Sequence, residues 1–411
     1  MKYKTGRMDP QTIAALQGKK ALVTGGTGFI GGRLVEKLLL ECEARVRVLV
    51  RDFSKASRLA RFPVEMAAGD MADETAVAEA VEGCDLVFHC AHDPSGTASE
   101  QMRLALRSAK NMALAVLHGG AKRLVHVSTI SVYGDTRDGD LDETAPRMPT
   151  YPYGKAKLAG EQLILDYCQS HGLPATVIQP TIVYGPYCKP WTLAPVEQLL
   201  SGRDVVLVNG GHGYCNAVYV DDVVNAMILA SVPETAVGET FLVSYEQPVT
   251  WRDFYGAYED LLGVQATTSL SAEELMDIAR RFPATVSDPG NLALLGSWLH
   301  DPHLWGQLRR LPALRRVQRI IEARTPFDFT SWFKSKVVGD LERRAASGST
   351  PSSRSIVDRV HMPSEERIHL CAAKTHVRID KARRVLGHEP VYDLARGMES
   401  TGQFVHWYYS L

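Results

Sequence analysis

Thr24-Gly25-Gly26-Thr27-Gly28-Phe29-Ile30-Gly31 lies between the apolar run Lys20-Ala21-Leu22-Val23 and a helix-patterned stretch, Arg33-Leu34-Val35-Glu36-Lys37-Leu38-Leu39. Strand, glycine turn and helix, in that order, turn a glycine pattern into a dinucleotide site. Gly25 permits a tight turn, Gly28 allows a pyrophosphate to approach the backbone, and Gly31 allows the helix to pack on the strand. Thr27, Phe29 and Ile30 complete the turn, and the helix N-terminus offers free N–H groups and a positive dipole end to phosphates.

The pattern continues outward from this turn. Apolar runs at 20–24, 46–50, 64–68, 85–90, 123–128 and 175–179 alternate with helical spacing. This predicts an α/β, Rossmann-like doubly wound parallel sheet. The dinucleotide-binding domain is expected over 18–186, its sheet completed by about 217–245. A smaller C-terminal substrate lobe is expected from 187–216 and 246–411, carrying a helical insertion at about 264–365. That insertion holds Trp298, Trp305 and Trp332 and has a basic excess. It reads as a helical elaboration, with two sharper alternatives: a lid over an apolar substrate, or peripheral membrane contact through Trp332-Phe333-Lys334-Ser335-Lys336. A net charge of −1 gives no reason to expect nucleic acid. The chain has no apolar run of membrane-spanning length and no signal-peptide core at its start. Seven cysteines without a C-x-x-C pair suit a reducing, cytoplasmic setting, and thirteen histidines show no metal spacing, so no metal is expected.

Residues 151–161 hold two overlapping Tyr-x-x-x-Lys pairs, Tyr151 with Lys155 and Tyr153 with Lys157. Residues i and i+4 share a helix face, so a lysine can lower the pKa of the tyrosine one turn earlier. A free phenol, near pKa ~10, is otherwise a poor acid–base group at neutral pH. Pro152 separates the pairs. Proline suits the first helical position and pushes the residue before it out of helical geometry. Tyr151 then precedes the helix, and Tyr153–Lys157 is the pair on its face.

With these pieces in order, the chain resembles the extended short-chain dehydrogenase/reductases, the NAD-dependent epimerase/dehydratase family. The resemblance rests on the glycine turn, Val127-Ser128-Thr129-Ile130-Ser131-Val132-Tyr133-Gly134, the Tyr153–Lys157 helix and Pro180-Thr181-Ile182-Val183-Tyr184-Gly185-Pro186. Gly69-Asp70-Met71, Val218-Tyr219-Val220-Asp221-Asp222 and the stretch 379–387 match more weakly. The resemblance implies Tyr153 as acid/base. Lys157 would lower its pKa and hydrogen-bond the nicotinamide ribose, and Thr129 would orient the substrate oxygen, with Ser128 and Ser131 as alternatives. Asp70 and Met71 would lie beside the adenine, Cys90, Ala91 and His92 near the cofactor, and Pro180 and Ile182 beside the nicotinamide. It also implies a homodimer through helices near 104–118 and 153–169, which carry Leu104, Leu114, Leu117, Leu158, Leu163 and Ile164.

Two departures bear on the substrate. Nucleotide-sugar members usually carry Asn at the position of Ile182 and often Arg at that of Cys215. A thiol cannot replace the bidentate, charge-assisted grip of a guanidinium on phosphate. Ser131, His212 and Asn216 remain as candidate substrate contacts. The leading expectation is an oxidoreductase working at a secondary alcohol or carbonyl carbon of a small molecule. A nucleotide-sugar epimerase or dehydratase that regenerates its cofactor is second, and a non-catalytic dinucleotide sensor third. NADP is expected over NAD, which stays possible. The second strand ends on Val50 rather than an acid, and Arg51 follows, able to pair with a 2′-phosphate. Asp52 is the competing reader of the ribose; Lys55 and Arg58 lie further along.

Overall fold

Seven parallel strands form the central sheet of the computed structural model, which describes residues 9–135, 138–281 and 359–410. They are β1 (Lys20–Thr24), β2 (Arg45–Val50), β3 (Glu65–Ala68), β4 (Leu86–His89), β5 (Arg123–Val127), β6 (Ala175–Pro180) and β7 (Thr240–Val243). Their order across the sheet is β7-β6-β5-β4-β1-β2-β3. The fold is thus the doubly wound class that the alternating pattern predicts. Successive residues of each strand feed opposite faces. Val23, Phe88, Val125 and Ile178 join one core layer, while Leu22, Val87, Leu124 and Val177 join the other. With both faces covered, the strands read as near-continuous apolar runs.

The strand order reverses at β1, which pairs with β2 on one side and β4 on the other. A crevice opens at such a switch point, beyond the carboxyl ends of the strands. Helix α1 (Phe29–Leu40) leaves the glycine turn there, α2 (Glu74–Val81) follows β3, and α3 (Ala98–Gly119) and α4 (Pro152–His171) pack side by side on the other face. Gly25 has φ +68°, and a Cβ on it would stand 2.9 Å from backbone atoms of Cys90 and Ala91. A Cβ on Gly31 would collide with the Gly25 carbonyl oxygen. Both positions are closed to a side chain by backbone.

Beyond β6 the chain builds short pairings. Ile182–Tyr184 runs parallel to Ala217–Tyr219, and Gly139–Leu141 parallel to Thr375–Val377. Asp204–Val208 is flanked by Thr267–Leu270 and Val360–His361. Helix α5 (Val220–Ala230) returns against α1. Arg33 donates to both Asp221 carboxylate oxygens at 2.6 and 2.7 Å, and buried Lys37 donates to Asn225 at 3.0 Å. Asp222 accepts the Val391 and Tyr392 N–H groups at 3.0 Å each. The matched Asp-Asp pair is therefore an anchor: one carboxylate holds α1 and the other holds the C-terminal chain. Most of the expected insertion, residues 282–358 with its three tryptophans and the 332–336 stretch, lies outside the described residues. Among the described residues no helix is long and apolar enough to cross a membrane.

Replacing Gly31 by Ala should lower stability by about 1–3 kcal/mol, because the contact met is backbone and cannot rotate away. Gly256, inside the helix Trp251–Leu262 with open space where a Cβ would stand, is the control. Gly256→Ala should be neutral or stabilising by up to ~1 kcal/mol. Urea midpoints of the two variants check the contrast.

Candidate active site

A cavity of about 430 Å³ occupies the crevice. Of the residues expected at the cofactor, Gly25, Thr27, Gly28, Arg51, Asp70, Met71, Cys90, Ala91, His92 and Lys157 line it. Phe29, Ile30 and Gly31 form the first turn of α1, whose N-cap Gly28 makes no side-chain capping bond. The N–H groups of that turn are left for an anion. Asp70 accepts the Ala72 N–H at 2.8 Å, and Asn111 of α3 donates to the Met71 carbonyl at 2.9 Å, fixing the loop after β3. A tight glycine turn that backbone keeps free of side chains, an uncapped helix start and a long cleft fit a dinucleotide.

Pro152 stands at the first turn of α4 and Tyr151 at its N-cap, with extended backbone (φ −99°, ψ 155°). The two tyrosines accordingly part. Tyr151 lines a second cavity and reaches His369 at 3.4 Å, whereas the Tyr153 phenol lies near the Thr129 hydroxyl. Tyr153 is 38% exposed as a residue, but burial of its phenol end raises its pKa; the Thr129 hydroxyl works against this, and the Glu366 charge adds to it. The expected effect of Lys157 on this phenol is not what the geometry shows. Lys157 is buried and its Nζ donates to the Val127 carbonyl at 2.5 Å. Burial pulls the Lys157 pKa down to about 8, with Cys90 and Glu161 acting in the opposite direction. Its charge falls instead on the histidines around it. His92, edge-on to Tyr153 with ring centroids 5.1 Å apart, is pushed down to about 4 by burial first and Lys157 second.

Behind these groups runs a buried polar chain. The Tyr133 hydroxyl donates to Gln179 Oε1 at 2.8 Å, and Gln179 Nε2 donates to both oxygens of fully buried Glu161 at 3.0 and 2.9 Å. Arg147 stands 3.2 Å from the same carboxylate. Glu161 is one turn beyond Lys157, so this network ties α4 to the Thr129–Tyr133 segment. Thr129 caps the short turn Ile130–Tyr133 by accepting the Ser131 N–H.

The second cavity, about 70 Å³, is lined by Ser131, Ile182 and Asn216 of the expected residues, together with Asp135, Tyr151, Tyr214 and Glu366. Asn216 donates to the Thr375 carbonyl at 2.9 Å and its oxygen faces the Val377 N–H at 3.4 Å, so its amide staples the strand Thr375–Val377. His212 is exposed beside Gly210 and lines neither cavity. Buried Ser128 and the strand-end residue Pro180 line neither. Sequence reasoning missed the inner wall of the first cavity, made by His89, Ser108 and His126. His89 bonds Thr24 at 2.8 Å, and its ring lies 5.1 Å from that of His126. Strand-end periodicity carries a signal for these two, since they sit opposite each other in the β4–β5 register. Nothing in the sequence ties Glu366 to Asp135.

The sequence model of the NAD dependent epimerase/dehydratase family matches residues 21–243, and the chain belongs to that family. A dTDP-glucose 4,6-dehydratase of Streptomyces niveus is 31% identical over 49% of this chain and 66% of its own length. A 3beta-hydroxysteroid-dehydrogenase/decarboxylase (isoform 1) of Arabidopsis thaliana is 27% identical over 63% of this chain and 65% of its own. The chain thus spans a little under two thirds of each of these relatives. The fold is shared with the UDP-glucuronic acid 4-epimerase of Bacillus cereus, solved with NAD, at a TM-score of 0.64 and 17% identity over 95% of this chain and 97% of that one.

Dinucleotide binding should respond to the Lys157 ammonium, since both partners carry charge into a low-dielectric cleft. With its pKa lowered to about 8, the ammonium is lost as pH rises through that value. The Kd for dinucleotide is expected to climb between pH 7 and 9 in the native chain and to stay flat in Lys157→Met. Fluorescence titrations across that range check it.

Proposed function

We propose that this chain is an NADP-dependent oxidoreductase acting at a secondary alcohol or carbonyl carbon of a substrate that carries no phosphate. The observation carrying this reading is the missing clamp: among the described residues no Lys or Arg lines the second cavity, so a diphosphate there would lack charge-assisted hydrogen bonds. At the position of the usual clamp stands buried Cys215. The nearby guanidinium of Arg367 lies over Trp191 and Trp251 and donates to Tyr255. The similarity to a 3beta-hydroxysteroid-dehydrogenase/decarboxylase supports a hydroxyl-bearing substrate that is not a nucleotide sugar.

A nicotinamide dinucleotide, when bound, supplies the hydride acceptor or donor. The chain's own work is placement and proton transfer. Thr129 orients the substrate oxygen beside Tyr153, and Tyr153, held protonated by its burial, gives that oxygen its proton in reduction and takes it back in oxidation. Lys157 holds the ribose side while fixed to the Val127 carbonyl. Arg51 reads the 2′-phosphate. Its rival Asp52 is engaged, since Oδ1 accepts from the Ser54 N–H and hydroxyl at 3.0 and 2.6 Å. The similarity to a dTDP-glucose 4,6-dehydratase supports a second reading, nucleotide-sugar conversion with the cofactor regenerated. Seven free thiols suit a reducing compartment, and we place the chain in the cytoplasm.

A panel of neutral ketones and of dTDP- and UDP-sugars, followed by cofactor absorbance and product mass, tests this. Net NADPH oxidation with a neutral ketone is expected; conversion of a nucleotide sugar without net absorbance change would overturn the reading. Tyr153→Phe should reduce kcat by about 10²–10⁴-fold and leave dinucleotide affinity nearly unchanged. Tyr151→Phe should keep most of the turnover.

We also propose a homodimer through α3 and α4. Leu104, Leu114, Leu117, Leu158 and Leu163 are only partly buried, whereas Ile164 is fully buried and belongs to the core. Light scattering should give twice the 45.3 kDa chain mass at micromolar concentration. A monomer there would refute the interface.

A further inference from the structure

Arg51 follows β2 and Asp93 follows β4, and β1 lies between those strands. The Arg51 Nη1 nevertheless meets Asp93 Oδ2 at 2.7 Å, with Asp70 Oδ2 at 3.5 Å on the same nitrogen. All three residues line the dinucleotide cavity. The ion pair therefore spans the mouth of the cleft over the end of β1. Asp93 is built for this contact. Its Oδ1 accepts the Ser95 N–H at 2.9 Å and the Ser95 hydroxyl at 2.5 Å, which turns Oδ2 toward Arg51.

We infer that Asp93 sets the discrimination between NADP and NAD, by competing with a 2′-phosphate for Arg51. The inference deepens the NADP reading above and rests on Arg51 as the phosphate reader. A guanidinium recognises phosphate through paired N–H bonds. One nitrogen of this fork is already committed to a carboxylate, and a phosphate arriving there must displace Asp93 while standing close to both its charge and that of Asp70. NAD has no such group and makes no such demand. Asp93 thus acts selectively, weakening NADP binding and leaving NAD binding almost untouched. Specificity here is a difference between two affinities, and the carboxylate is its repulsive element. The Arg51 side chain is 59% exposed, so salt screens the effect and keeps it modest.

The test is equilibrium titration of the purified full chain with NADP⁺ and with NAD⁺, without substrate. Asp93→Asn keeps an oxygen for Ser95 and removes the charge; Asp93→Ser is the second variant, and both are checked for native melting. Each should lower the NADP⁺ Kd by about fivefold at low salt, with NAD⁺ unchanged and the gain shrinking as salt rises. Asp70→Asn, on the longer contact, should do less. In an Arg51→Ala background the Asp93→Asn gain should largely vanish. A higher NADP⁺ Kd in both Asp93 variants would overturn the inference, showing that Asp93 positions Arg51 for phosphate. Equal shifts for both cofactors, or a gain that persists without Arg51, would overturn it too. Failure of the cofactor reading looks different: the native chain would bind NAD⁺ more tightly, and Arg51→Ala would weaken both cofactors equally.

Discussion

The contact on which the rest of this molecule depends is backbone against backbone. At the end of β1 the chain turns at Gly25, and the loop leaving β4 rests directly on that turn. With no side chain between them, the ends of two adjacent parallel strands close to the distance that leaves a slot above rather than a gap within. Helix α1 starts at that slot with unpaired N–H groups, and Arg33 and Lys37 on it recruit α5 through Asp221 and Asn225. The cleft, its anion-binding end and the seat of the C-terminal chain all follow from one turn.

A second constraint is the buried carboxylate of Glu161. A charge with no solvent contact persists only when its lone pairs are occupied. Gln179 donates to both of its oxygens, Arg147 stands 3.2 Å away as a counter-charge, and Gln179 in turn receives the Tyr133 hydroxyl. This chain links β6 to α4, which carries Tyr153, and to the segment after β5, which carries Thr129. The placement of these two residues is set from below, by groups that line neither cavity.

Much of this is written in short-range pattern. The central strands fall on the apolar runs within a residue or two, because a parallel strand covered on both faces leaves a continuous signature. Pro152 decided between two tyrosines from its covalent geometry alone. Less legible is what depends on where distant side chains finally aim. Lys157 shares a helix face with Tyr153, but its ammonium turns to the Val127 carbonyl, which no spacing reveals. Asn216 lines the second cavity, and its amide also satisfies the backbone of a strand contributed by residue 375 onward, a contact that no local pattern announces. His212, two residues past a left-handed Asn209–Gly210 turn, is carried out to solvent. Arg51 was visible as a cation, but its carboxylate partner arrives from a loop 42 positions away.

The strand Asp204–Val208 has a consequence for how this lobe can vary. It holds Thr267–Leu270 on one edge and Val360–His361 on the other, and helices Ala272–Arg281 and Glu365–Ala372 pack together beyond them. The described elements that flank the intervening chain are thus both held by a single strand, one on each edge. Closing a loop between fixed ends carries an entropy that grows only with the logarithm of its length, about 0.6 kcal/mol for each doubling. By that scaling the length of chain between these two anchors can change with little penalty to the seven-stranded sheet, to which neither anchoring strand belongs. The fold contains, in effect, an insertion port set apart from its central sheet.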